Sequence, residues 1–117
     1  MILYDPNGNA HAPFSSHHWQ AWRFHEPGGG FVLKVIGFCV VDSPGYSGYL
    51  RAVPEQSYNR NLLLLEKVII PPAGTVLPSP SPHTLEIRYE DRSDGHHTHV
   101  QIVSDFVTLP IRDVYPA

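Results

Sequence analysis

The chain has little cysteine and little charge, and each shortage narrows what it can be. One cysteine, Cys39, stands among the 117 residues, so no internal disulfide can form and packing must hold the fold. Its place inside the apolar run Phe31 to Val41 marks it as a small buried hydrophobe rather than a nucleophile. Asp, Glu, Lys and Arg make up only 16% of the residues, against roughly 25% in an ordinary soluble domain, and so sparse a surface points to association, as a homo-oligomer. The eight Lys plus Arg are scattered and the net charge is -3, which leaves no basic footprint for a phosphate backbone and argues against nucleic acid as a partner. No apolar run approaches membrane-spanning length, and Met1-Ile-Leu-Tyr passes at once into Asp5-Pro6-Asn7-Gly8 without the basic start and apolar core of a leader. A cytoplasmic protein without a membrane partner is the expectation.

What the chain has in quantity is punctuation, with twelve prolines and nine glycines between short apolar segments. Residues 1 to 4 suit a short edge strand. In Trp19 to Glu26, Trp22 and Phe24 share one parity and are expected to face the core. Trp19, Arg23 and His25 share the other, an amphipathic face suited to contact a ligand ring or a partner side chain. Pro27-Gly28-Gly29-Gly30 is a hairpin turn, lacking the spacing of a phosphate-binding loop. Phe31 to Val41 is apolar on both parities apart from Lys34, as a central strand is, with Gly37 marking a bulge or bend. Tyr46 to Val53 is a weaker strand, 54 to 61 a loop or one helical turn, and Leu62 to Ile70 a second central strand. The proline-rich stretch Pro71 to Pro82 is an extended connection that resists regular structure.

The densest set of ligand-type side chains lies between His83 and Val103. From Thr84 to Glu90 the alternation is strict, with Leu85, Ile87 and Tyr89 on one face and Glu86, Arg88 and Glu90 on the other. Asp91 to Gly95 reads as the turn of a β-hairpin returning through Val100 and Ile102, which places His96 inward and His97 and His99 outward, beside Glu86 and Glu90. Two histidines at i and i+2 with a cross-strand carboxylate are the raw material of a two-histidine, one-carboxylate metal site, with Arg88 an unfavourable neighbour for the ion. Ser104 to Leu109 is expected to continue as a strand with a bulge, and Ile111 to Tyr115 to form a short last one.

This stretch also resembles the cupin motif: a proline-glycine approach at Pro71-Pro72-Ala73-Gly74, an acidic strand, and the pair His97-Thr98-His99. The order differs, because in cupins the histidine pair follows the proline-glycine turn closely and a Glu comes after it. No ligand set is carried across from the resemblance.

Strands at this spacing, with no convincing amphipathic helix and no repeat, predict residues 1–117 to be a single all-β domain, a β-sandwich or compact β-barrel with jelly-roll-like crossovers. An α+β domain with a helix near 55 to 66 is the alternative. The expected function is that of a small intracellular β-module that binds a protein partner or assembles with itself, not by catalysis. Two alternatives stand beside it: a metal-dependent cupin-like enzyme or metal-binding barrel using His97, His99, Glu86 and Glu90, and a small-ligand barrel lined by Trp19 and Trp22. No cofactor is required; the metal reading implies one divalent transition ion.

Overall fold

The computed structural model describes residues 3–4, 10–11, 16–41, 45–71, 83–92 and 96–116, and among them every regular element is a β-strand. A two-stranded ribbon pairs β1 (Leu3–Tyr4) with β2 (Ala10–His11). The remaining strands are β3 (Ser16–His25), β4 (Phe31–Val41), β5 (Ser47–Ala52), β6 (Leu62–Ile70), β7 (His83–Asp91), β8 (His99–Ile102), β9 (Val107–Pro110) and β10 (Arg112–Val114). They form two four-stranded sheets, β10-β3-β4-β7 and β5-β6-β8-β9. Both sheets are mixed, since β10 runs parallel to β3 and β6 parallel to β8. The chain changes sheet after β4, β6, β7 and β9, and neither sheet closes into a barrel.

The sheets pack face to face. Leu33, Val35, Cys39 and Val41 of β4 and Ile87 of β7 meet Leu50 of β5, Leu63, Leu65 and Ile69 of β6, and Val100 and Ile102 of β8 in one buried cluster. The expected central strands are central: β4 lies between β3 and β7, and β6 between β5 and β8. The glycine turn joins β3 to β4 as expected, with Gly29 at φ 96 and its amide donating to the Glu26 carbonyl at 3.0 Å. Residues 53–61 are a loop without a helical turn, which removes the α+β alternative over that segment. No helix among the described residues is long and apolar enough to cross a membrane.

Four expectations are corrected. The hairpin does not form: β7 pairs along its whole length with β4, from Leu33↔Asp91 to Val41↔His83, while β8 lies in the other sheet beside β6, from Leu62↔His99 to Leu65↔Ile102. Alternation and turn formers are compatible with either a hairpin or a crossover, and the long apolar β4 offers β7 a fuller pairing than the four-residue β8. The parity of β3 is reversed. Ala21 and Arg23 are buried, Trp19 packs on the core cluster, and Trp22 and Phe24 sit half-buried on the opposite face, with Lys34 over the Phe24 ring at 5.7 Å. Residues 96–98 precede β8, so alternation fails there: His97 is buried and His96 exposed. Finally, 103–106 is a tight turn with Phe106 at φ 55, and β9 returns antiparallel to β8 instead of extending it.

Gly37, read as marking a bulge or bend, faces a bulge that the partner strand β3 carries. Its pairing with Ile87 is regular, and the register shift lies opposite, between His17 and Gln20 of β3, where His18 takes φ 55. That shift sets the His17 and His18 rings 4.6 Å apart instead of on opposite faces, both against Phe38. It also accompanies the Trp19 ring lying flat on the Gly37 backbone: a Cβ at 37 would sit 2.2 Å from Trp19 Cε3. The segments 5–9, 12–15, 42–44, 72–82 and 93–95, which hold three expected turns and most of the proline-rich connection, lie outside the described residues. Gly37→Ala is expected to destabilise the fold by about 1–3 kcal/mol or more through this overlap, measured as a lower urea midpoint with an unchanged slope.

Candidate functional site

Two groups of residues that the sequence kept apart meet at one end of the inter-sheet space. β3 places Arg23 on the core face, where its own strand offers no anion, and the parallel pairing Asp113↔Arg23 brings a carboxylate beside it from β10. Arg23 Nη1 donates to Asp113 Oδ1 at 3.0 Å. Its Nη2 donates to the backbone carbonyl of His97, across the gap between the sheets, and its guanidinium lies 5.9 Å from the centre of the Phe31 ring. His25, two residues along the same face, reaches the same Asp113 Oδ1 through Nε2 at 2.9 Å and stacks on Tyr115 with ring centres 4.3 Å apart and planes 11° from parallel. Arg23 is 8% exposed, whereas Tyr115 is 68% exposed, so the cluster runs from a buried cation to an open aromatic surface.

The electrostatics of this cluster limit its chemistry. The hydrogen bond from His25 is the main influence holding the Asp113 carboxyl below the ordinary aspartate value; partial burial pushes the other way, and the hydrogen bond and charge of Arg23 add to the lowering. A carboxylate oxygen shared by two donors and made less basic is a poor proton acceptor. Asp113 therefore acts as an anchor that fixes an arginine, a histidine and, through the stack, a tyrosine at the edge of the sandwich.

Of the residues singled out for contact, Arg23 and His25 belong to this cluster, while Trp19 sits further back along β3 on Gly37. Of the four metal-site residues, His97 enters it through its main chain and lies ring to ring with His96 at 4.4 Å. His99 stands exposed on β8, its Nδ1 2.9 Å from Thr98 Oγ1. Glu86 and Glu90 are on β7 in the other sheet, where Glu86 accepts from Arg88 at 2.9 Å and Glu90 lies 3.9 Å from Lys34. Among the described residues no group of three or more His, Cys, Asp or Glu side chains is arranged to hold a metal ion.

A second buried cation went unread in the sequence. Leu63, Leu65, Lys67 and Ile69 of β6 share the core-facing parity, so Lys67 points between the sheets, and its side chain is 2% exposed. Its Nζ lies 3.1 Å from Asp105 Oδ1, in the β8–β9 turn, and donates to Ser16 Oγ of β3 at 2.8 Å. The alternation of β6 was the available signal. Cys39, paired with Ser16, lies in this region; burial pushes its thiol up, against the opposing influence of Lys67 and Ser16. This is the setting of an inert thiol.

One recess of about 150 Å³ is lined by Trp19, Gln20, Ala21, Trp22, Leu109, Pro110 and Arg112, below the roughly 300 Å³ at which small-molecule sites begin. No protein-family model matches the chain, and no curated protein or solved structure matches it either.

Removing one member of the Lys67–Asp105 pair leaves the other charged and enclosed. Lys67→Met is expected to lose about 3–5 kcal/mol of stability. Adding Asp105→Asn is expected to recover part of that loss, so that the double variant falls well short of the summed single effects. A double-mutant cycle by chemical denaturation reads the coupling directly; strict additivity would contradict a working pair.

Proposed function

We propose that the chain is a non-enzymatic β-sandwich module that acts by associating with protein, and that a second copy of itself is the partner its surface fits best. The observation carrying this reading is the edge strand β7. It is nine residues long, it closes one side of the β10-β3-β4-β7 sheet, and among the described residues no strand pairs with its outer side. An edge strand of that length is a template for strand addition. The other sheet ends are shorter: six residues in β5, four in β9 and three in β10.

The sparse charge of the chain supports the same reading, as do the exposed Val114 and Tyr115 beside the Arg23 cluster. Sedimentation velocity across a wide concentration range tests the proposal. The expected result is a shift from 13.1 kDa toward twice that mass as concentration rises. A strict monomer at the highest concentration would overturn self-association.

A further inference from the structure

We propose that His17 and His18 form a two-imidazole site for a divalent transition ion that favours nitrogen ligands, Zn²⁺ foremost. The site is independent of the association reading above and uses other residues.

Neighbouring residues of a regular strand point to opposite faces, so two successive histidines ordinarily offer an ion one ring. The irregularity in β3 removes that limit. The register with β4 shifts between His17 and Gln20, and His18 takes φ 55, the left-handed conformation that histidine tolerates better than most residues. The two rings are thereby set 4.6 Å apart with their planes at 71°. A shared ion demands such a spacing. With metal–nitrogen bonds of about 2.0–2.1 Å each ring centre lies about 3.2 Å from the ion, and ligand angles of about 90–110° then put the two centres about 4.5–5.2 Å apart. The pair is spaced for chelation by the backbone itself.

Two features of the surroundings favour the same use. Phe38 lies 6.2 Å from the His17 ring and 6.5 Å from the His18 ring, an apolar wall that restricts both imidazoles and lowers the cost of ordering them on an ion. Neither imidazole hydrogen-bonds to another described residue, and His18 is exposed with His17 half-buried, so their nitrogen lone pairs are open to a ligand arriving from solvent. Another pair of successive histidines, His96 and His97, lies 4.4 Å ring to ring, but both residues have further partners and His97 is 8% exposed. Imidazole suits zinc, copper and nickel alike, and two protein ligands leave the remaining positions of the ion to water. Such a site binds in the micromolar range and stays open to a further ligand.

Titration of the untagged chain with Zn²⁺ alone, followed by calorimetry and by the histidine ring signals in NMR spectra, tests the site. The expected result is saturation at micromolar Zn²⁺, with the His17 and His18 rings shifting together at one midpoint. His17→Ala and His18→Asn are each expected to weaken binding about tenfold or more. Asparagine keeps the left-handed backbone at position 18 while removing the ring. His96→Ala, which breaks the other pair, is expected to leave the affinity unchanged. Circular dichroism melting establishes that each variant is folded. No saturation up to millimolar Zn²⁺, ring signals of His17 and His18 that stay in place, or an affinity that survives both substitutions overturns the site. A loss in His96→Ala equal to that in His17→Ala overturns it too, since binding would then follow any surface histidine.

Discussion

A cation between two packed sheets is tolerable only where oxygen atoms meet it, and this protein meets that condition at both ends of β3. At the start of the strand Ser16 takes a hydrogen bond from Lys67, which crosses from β6 and pairs with Asp105. Near its end Arg23 reaches Asp113 and the His97 carbonyl. Between the two lies the apolar cluster of Leu33, Val35, Leu65, Ile87, Val100 and Ile102. Hydrophobic burial supplies the attraction between the sheets, but it is indifferent to small displacements along the strands. The two clamps are not indifferent, since sliding one sheet over the other would strand an enclosed charge at a cost of several kcal/mol.

The clamps also explain where the polar surface is gathered. Arg23 needs a carboxylate on its own face, and the short parallel β10 delivers Asp113 to it, bringing Tyr115 onto His25. The segment before β8 is drawn in by its carbonyl, which buries the His97 residue and leaves His96 and His99 at the surface. At the opposite side of the same sheet, β7 pairs with β4 along its length, and its exposed charges meet neighbours within the sheet, Glu86 with Arg88 and Glu90 with Lys34 of β4.

Much of the strand content was legible in the residues. β4, β6 and β7 declare themselves by apolar runs or strict alternation, Cys39 by its apolar neighbours, and the β3–β4 turn by its glycines. Strand partnership was not legible, because alternation states which face a residue takes but not which strand lies beside it. The parity of β3 misled for a physical reason. Both of its faces carry aromatic residues, and the choice between them is made by Gly37, which offers Trp19 a flat seat, and by Asp113, which lets Arg23 be buried. Neither partner is near β3 in sequence. Lys67, by contrast, stood in plain view on the core-facing parity of β6, and only the expectation that lysine is exposed hid it.

The most direct measurement is an isotope-filtered nuclear Overhauser experiment on a mixture of labelled and unlabelled protein, which reports contacts between copies alone. The account predicts intermolecular contacts from residues of β7, beside intramolecular contacts that join β7 to β4. Intermolecular contacts centred elsewhere, for instance on Phe106 or Tyr115, or an absence of any at concentrations where the mass is doubled, would contradict it.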